Sequence, residues 1–273
     1  MGERDPRHVL AEVLASRRAG AFRHLTLTAR GIPELFRPGT FVAASVAPTQ
    51  MTRRALWIHR VSPTGTFGPT LDVVVEPRGV GGRWLADLTV GARVELTGPL
   101  GRPFSLPREP VACLLVGEGW SAAPLFPLAE RLRDRQSAVT FLLSGADEAH
   151  LLTPREARRM ARAAHVVTAD GSVGRHGDVM SVLPAVLEST GAAVVYAAGP
   201  TALLRAVAGA AAAAGAQSQV ALQEPLPCGT GLCRACVIGV RGTDGAAHQV
   251  RACLEGPVLP GDRVAWESLG GGR

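Results

Sequence analysis

The sequence predicts an α/β plus β fold in three parts: an N-terminal antiparallel β-barrel, a parallel α/β domain and a small C-terminal domain that carries cysteines. Three observations support this division. Short β-like runs broken by glycine and proline occupy residues 22–107. Continuous apolar runs alternate with helical patterns from 111 to 221. Most of the cysteines follow, near the C-terminus. We therefore expect a helical extension over 1–20, the barrel over 21–108, the α/β domain over 109–222 and the cysteine domain over 223–273.

The composition fits a globular chain with room for about two sizeable cores. Of its 273 residues 47% are hydrophobic, and no apolar run reaches the roughly 18 residues of a membrane span. The start mixes charges of both signs without an apolar stretch, so we expect no secretion and a reducing cytoplasm. The net charge of +6 comes from arginine alone, which suits anionic cofactors. Because the arginines are dispersed and aromatic residues make up only 4%, we expect neither nucleic-acid nor membrane binding.

The first elements are assigned from local pattern. Residues 7–18 combine alanine, leucine and charged residues at amphipathic spacing and predict a short helix that ends before Gly20. The barrel that follows should contain strands at 24–28, 40–46, 54–61, 71–76 and 93–97. Apolar strands should then lie at 111–116, 138–144, 164–169, 193–198 and 219–221, with helices at about 122–134, 154–163, 178–189 and 200–214. A last hairpin should pair 237–240 with 249–251.

Three glycine-containing turns follow strands of the α/β part. Gly117 and Gly119 lie between an apolar strand and a helix, where backbone N–H groups can face a pyrophosphate. A tight structural turn would give the same pattern, and Glu118 would repel a phosphate. Asp170 and Gly171 begin a polar loop after a later strand. Gly199 and Pro200 end the next strand, and Pro200 suits the first turn of a helix.

The cysteines give the strongest signal. Cys228, Cys233, Cys236 and Cys253 have the C-x4-C-x2-C…C spacing of plant-type [2Fe–2S] ligation. Glycines at 229 and 231 would allow positive φ and bring N–H groups close to the sulfurs. A structural zinc site remains the main alternative, although zinc usually takes two short ligand pairs. Disulfides are disfavoured by the odd number of cysteines in a chain this long. Cys113, the fifth, lies in an apolar run and is expected to be a small buried hydrophobe.

Together and in this order, several segments resemble the electron-transfer subunits of NAD-linked, two-subunit dihydroorotate dehydrogenases, within the ferredoxin–NADP reductase superfamily. The resemblance runs from about Phe22 to Glu267. It rests on Pro38-Gly39-Thr40-Phe41-Val42, Gly98-Pro99-Leu100-Gly101, the glycine turn with Ala123-Pro124-Leu125, Asp170-Gly171-Ser172-Val173-Gly174, Ala198-Gly199-Pro200, the cysteine loop, and Arg251-Ala252-Cys253-Leu254-Glu255-Gly256-Pro257-Val258.

The resemblance implies FAD in the barrel, a pyridine nucleotide in the α/β domain and a [2Fe–2S] cluster on the four cysteines. The family's Arg-Pro-x-Ser flavin strand aligns with Arg54, Ala55, Leu56 and Trp57, so Arg54 would hold the FAD pyrophosphate and Trp57 replaces the serine. The family's second flavin contact is a Gly-Thr pair, which falls at Gly81 and Gly82, so the threonine is absent here. The backbone at Val73, Val74 and Val75 would contact the adenosine. NAD would contact Gly117, Gly119, Asp170, Gly171, Gly199 and Pro200.

The implied function is electron transfer between NAD and an FMN-containing dihydroorotate dehydrogenase catalytic subunit in a heterotetramer, in pyrimidine (UMP) biosynthesis. The chain would not oxidise dihydroorotate itself, and the sequence shows no catalytic triad or carboxylate pair. Two other interpretations remain open at this point. One is a diaphorase-like subunit that serves a different reductase. The other is a degenerate binding subunit whose metal only stabilises the C-terminal domain.

Overall fold

The computed structural model describes residues 5–47, 50–242 and 245–269. Its strands are β1 (Arg7–Ala19), β2 (Phe22–Thr28), β3 (Phe41–Ala44), β4 (Arg54–Ser62), β5 (Thr70–Val75), β6 (Arg93–Leu100), β7 (Ala112–Glu118), β8 (Ala138–Gly145), β9 (Ala163–Thr168), β10 (Arg175–His176), β11 (Val194–Ala198), β12 (Gln217–Ala221), β13 (Val237–Arg241), β14 (Ala247–Arg251) and β15 (Val258–Pro260). Its helices are α1 (Gly79–Ala86), α2 (Leu125–Asp134), α3 (Pro154–Met160), α4 (Leu183–Thr190), α5 (Thr201–Ala213) and α6 (Ala252–Glu255). The sequence-predicted strands and helices from residue 22 to 221 are thereby confirmed to within a few residues.

The N-terminal part is a closed antiparallel barrel with strand order β1-β2-β5-β4-β3-β6. The helix expected over 7–18 is wrong, because this segment forms strand β1 and closes the barrel between β2 and β6. Ala11 and Val13 are fully buried while Leu10 is 60% exposed, which is the two-residue alternation of a strand. Pairing on both edges therefore outweighs the helix propensity of the alanine, leucine and arginine residues. The helical extension expected over 1–20 is likewise wrong for its described part.

The α/β part is a seven-stranded sheet in the order β10-β9-β8-β7-β11-β12-β15. All its strands are parallel except β15, which pairs antiparallel with β12 at the edge. The chain runs outward from β7 to β8 on one side and later returns to β11 on the other. The carboxyl ends of β7 and β11 therefore flank the switch point of the sheet, where ligands of such folds bind.

The C-terminal part contains the expected β13–β14 hairpin, whose turn includes residues 243–244 outside the described part. Its strand β15 joins the large sheet, so this segment is tied to the α/β part. A continuous apolar core connects all three parts: Phe41 and Trp57 from the barrel pack in one cluster with the sheet strands and with Cys236 and Cys253. A second core, which includes Val42 and Leu56, fills the barrel interior.

A buried histidine fastens the barrel to the α/β part. His59 on β4 is 3% exposed and packs its ring against Phe126 of α2, with 4.9 Å between ring centroids. Its Nε2 lies 3.8 Å from a carboxylate oxygen of Glu156 on α3, which also pairs with Arg60. Burial raises the pKa of Glu156, but hydrogen bonding and charge from His59 and Arg60 outweigh it, so that the pKa lies below its usual range. None of the helices in the described residues is long and apolar enough to cross a membrane.

Candidate cofactor and electron-transfer site

The cysteine loop has the backbone that its glycines suggest. Gly229 and Gly231 have φ of +70° and +82°, a region that favours glycine. The N–H groups of Thr230 and Cys233 point to the sulfur of Cys228, and the N–H of Gly231 points to the sulfur of Cys253. The loop thus surrounds the sulfurs with backbone donors, as the sequence predicts.

The four thiols form two neighbouring pairs. The Sγ atoms of Cys236 and Cys253 lie 3.3 Å apart in a buried position. Cys228 and Cys233 form the other pair through a hydrogen bond. Two pairs suit a cluster of two irons with four cysteine ligands better than one tetrahedral zinc.

The two pairs differ in their electrostatics. Burial tends to raise the pKa of Cys228, but the N–H groups of Cys233 and Thr230 outweigh it and lower that pKa to about 6. Burial, together with the neighbouring Cys236 thiol, raises the pKa of Cys253 to about 12. Burial alone raises the pKa of the isolated Cys113 to about 11, as expected of a small apolar residue in a sheet. The backbone donors that favour a thiolate are therefore concentrated in the loop.

The cysteine loop packs directly on the barrel. A Cβ added at Gly229 would lie 3.1 Å from Cβ of Ala43, 3.2 Å from Leu100 and 3.3 Å from the ring of Phe41. The N–H of Arg53, just before β4, donates a hydrogen bond of 2.7 Å to the carbonyl of Pro227. The loop is thus held against the start of β4.

A cavity of about 350 Å³, here called the barrel cavity, opens beside this contact. Phe41, Trp57 and Trp120 supply aromatic walls, and Arg53 and Arg54 supply positive charge. The segment 222–227, which leads into the cysteine loop, closes one side. The Trp57 indole is only 6% exposed and meets the Phe41 ring edge-to-face at 6.5 Å. An aromatic slot with arginines at its edge fits a planar ring joined to a phosphate.

A second cavity of about 380 Å³, here called the sheet cavity, lies at the switch point. Its lining includes Gly119 after β7, Gly145 at the end of β8 and Pro200 after β11. Glu118 also lines it, and burial raises the pKa of this carboxyl, with a hydrogen bond from Ser144 opposing the effect. Burial in this cavity therefore disfavours the charged form of Glu118, which is the form that would repel a phosphate.

The remaining predicted contacts fall in three groups. Arg54 and Ala55 line the barrel cavity, and Gly81 lies beside Arg54, since a Cβ on it would be 3.9 Å from Arg54 Cδ. Six positions are buried. The side chains of Leu56, Val73, Val74 and Val75 pack in the core, whereas Gly82 and Gly199 lie where an added Cβ would meet a close neighbour. Asp170 and Gly171 are exposed in the loop between β9 and β10 and do not line the sheet cavity.

Two predicted glycines are required by packing. A Cβ on Gly117 would lie 2.5 Å from Cβ of Ala122, and one on Gly82 would lie 2.5 Å from the carbonyl oxygen of Glu76. Gly82 belongs to helix α1, which the glycine-rich sequence gave no reason to expect. The start of α1 lies close to Arg54 and has no side-chain cap.

Sequence reasoning missed several residues that line the cavities. Arg53 is not among the predicted contacts, yet it lines the barrel cavity and donates a hydrogen bond to the Thr97 hydroxyl. Trp120 and Gln223 line both cavities. The aromatic residue inside a glycine turn was a usable signal for Trp120. Gln223 lies in no motif, so nothing local in the sequence distinguished it.

Comparison with known proteins agrees with this arrangement. Residues 224–265 match the family model described as the iron–sulfur cluster binding domain of dihydroorotate dehydrogenase B. The electron transfer subunit of dihydroorotate dehydrogenase B (NAD(+)) from Desulforamulus reducens is 32% identical over 247 residues, which are 89% of this chain and 92% of that protein. The subunit of the same name from Bacillus caldolyticus is 34% identical over 257 residues, which are 92% of this chain and 96% of that protein. The chain belongs to this family of electron transfer subunits.

Solved structures show the same fold. The NADH-dependent reduced ferredoxin-NADP oxidoreductase, solved in work on flavin-based electron bifurcation, superposes with a TM-score of 0.82 at 24% identity and covers 96% of this chain and 91% of its own. A ferredoxin reductase of carbazole 1,9a-dioxygenase superposes with a TM-score of 0.64 at 20% identity, covering 77% and 67%. The second match covers a smaller part of this electron transfer subunit than the first.

Proposed function

We propose that this chain carries electrons between a dihydroorotate-oxidising partner chain and NAD, using a [2Fe–2S] cluster and FAD, in pyrimidine biosynthesis. One observation carries the proposal: the cysteine loop packs on Phe41, and the same ring lines the barrel cavity. A cluster held by the loop and a flavin held in the cavity would be separated by this ring and a few backbone atoms. The fold thus supplies the proximity that electron transfer between two cofactors needs.

The barrel cavity suits FAD. Phe41, Trp57 and Trp120 would enclose the flavin ring, and Arg54 with the first turn of α1 would bind the pyrophosphate. Since the side chains of Val73, Val74 and Val75 are buried, an adenosine contact there would come from the backbone. When bound, FAD supplies the exchange between two-electron hydride chemistry and one-electron transfer, while the protein orients it and excludes water.

The sheet cavity suits the pyridine nucleotide. Gly119 and Pro200 flank the carboxyl ends of β7 and β11, where the pyrophosphate of a dinucleotide is expected. Gly117 and Gly199 allow the close approach of the following helical turns and contribute through packing. Asp170 and Gly171 lie outside this cavity, and we assign them to the more distant end of the nucleotide.

The cluster domain presents a docking surface. Leu232 is 85% exposed and precedes Cys233, which is exposed as well. An exposed apolar side chain beside a redox ligand suits a partner that exchanges electrons with the cluster. We assign this surface to the FMN-containing dihydroorotate dehydrogenase catalytic subunit, in a cytoplasmic heterotetramer. In this assignment the FAD-binding unit extends the expected range 21–108 to include β1, and the nucleotide-binding and cluster-binding units keep the boundaries 109–222 and 223–273.

The proposal is tested with the full chain purified without oxygen. Flavin, iron and acid-labile sulfide are measured per chain, followed by NADH-dependent dye reduction and by association with a dihydroorotate-oxidising chain. We expect one FAD, two irons and two sulfides per chain, as well as association. Protein without flavin or sulfide would overturn the proposal. Cofactors and dye reduction without that association would indicate a diaphorase-like subunit, and a bound metal without dye reduction would indicate a non-catalytic subunit.

A further inference from the structure

Three residues line both the barrel cavity and the sheet cavity: Arg54, Trp120 and Gln223. They mark the junction at which a ring bound in one cavity meets a ring bound in the other. Arg54 is exposed and is assigned to phosphate binding, and Trp120 offers an apolar surface. Gln223 is the residue of the three that brings an amide to the junction.

The amide of Gln223 has an unused donor. Its Nε2 atom is buried and has no hydrogen-bond partner among the described residues. Gln219, four residues earlier, is different: its Nε2 donates to the carbonyl of Ser105, and its Oε1 accepts from the N–H of Ser105, each at 2.8 Å. A buried donor without a partner is destabilising, and a ligand acceptor would remove that cost.

We propose that the Gln223 side chain turns into the junction and donates a hydrogen bond to the flavin ring bound in the barrel cavity. An amide N–H requires an acceptor, and the oxidised flavin ring presents carbonyl oxygens and an unprotonated ring nitrogen along one edge. We choose the flavin over the nicotinamide for two reasons. The proposed function places the flavin in the barrel cavity, and the segment 222–227, which contains Gln223, encloses that cavity.

This donor would act on the redox property of the flavin. Reduction adds electron density to the ring, so a hydrogen bond to its acceptor edge strengthens in the reduced form. Gln223 would therefore raise the midpoint potential of the bound flavin, and it would hold the ring at the junction with the nicotinamide.

The test compares Gln223→Leu with the wild-type chain and with Gln249→Leu, a control on the exposed face of β14. Flavin is removed and added back to measure its dissociation constant. The absorption spectrum and midpoint potential are then recorded, along with iron content. We expect Gln223→Leu to bind FAD about threefold to tenfold more weakly and at a lower midpoint potential. We expect the control to match wild type.

The flavin-free proteins give a second readout. Because leucine removes an unpaired buried donor, Gln223→Leu without flavin should be as stable as wild type or more stable, whereas loss of a structural hydrogen bond would destabilise it. Lower stability of the flavin-free variant would overturn the proposal. An unchanged FAD affinity, spectrum and potential would overturn it too, and a change confined to NADH affinity would assign the donor to the nicotinamide instead. A wild-type chain that binds no flavin at all would refute the proposed function itself.

Discussion

Gly229 offers a direct test of how the cysteine loop is held on the barrel. Gly229→Ala places a methyl group 3.1–3.3 Å from Ala43, Leu100 and Phe41, closer than the roughly 3.5–4.0 Å of ordinary carbon contacts. The φ of +70° adds left-handed strain of about 1–2 kcal/mol for a residue with a Cβ. Overpacking against a rigid core adds about 1–3 kcal/mol. The loop should therefore lose about 2–5 kcal/mol of stability relative to its open state.

The matched control is Gly91→Ala. Gly91 has φ of +86° and no heavy atom within 4 Å of an added Cβ, so this change introduces strain without a clash. Both variants are purified anaerobically, and iron release to a chelator is followed over time. The two variants share the strain and differ by about 1–3 kcal/mol of overpacking. Because each 1.4 kcal/mol corresponds to about a factor of ten, Gly229→Ala should release iron roughly fivefold to 100-fold faster than Gly91→Ala. Equal rates for the two variants would show that contact between the loop and the barrel does not hold the cluster in place.

Three further predictions follow from other parts of the site. Glu118→Gln should bind NADH roughly threefold to tenfold more tightly than wild type at high pH. Burial raises the pKa of Glu118, and its ionisation as pH rises places a negative charge beside the phosphates. NADH binding measured across pH should depend less on pH in the variant than in wild type, and an unchanged pH dependence would contradict the prediction. Leu232→Glu should weaken association with the catalytic chain about tenfold in a binding assay, whereas Phe67→Glu, a comparably exposed residue on the barrel, should not. Glu156→Gln should lower the melting temperature at neutral pH and have less effect in acid. A carboxyl with a lowered pKa contributes stability that is lost as pH falls through that pKa. An equal effect at both pH values would be inconsistent with the His59 contact.

Much of this architecture could be predicted because its signals are local. The strands of the barrel after residue 20 are short β-like runs separated by glycine and proline, and those of the sheet are continuous apolar runs separated by helices. The cysteine spacing and the two glycines give the loop and its positive φ without any long-range information. The hairpin β13–β14 follows from its turn residues and its short β-branched strands.

The failures involve residues whose role depends on distant partners. Segment 7–18 has good helix formers, and its strand conformation is imposed by β2 and β6, which flank it on both sides. The helix α1 forms despite its glycines because Leu85 packs into the barrel core. Arg53 and Gln223 become part of the cavities only when β4 meets the segment before the cysteine loop, a contact between residues far apart in sequence.

The segment 222–227 is the feature that joins the two redox sites. It lines the barrel cavity along its length and is fixed to the barrel by the hydrogen bond from Arg53 to the carbonyl of Pro227, one residue before the first cysteine. Prolines at 225 and 227 restrict its backbone further. Any displacement of this segment would move the wall of the flavin site and the first cluster ligand together. The separation between the two cofactors therefore depends on these six residues, which line one site and lead directly into the other.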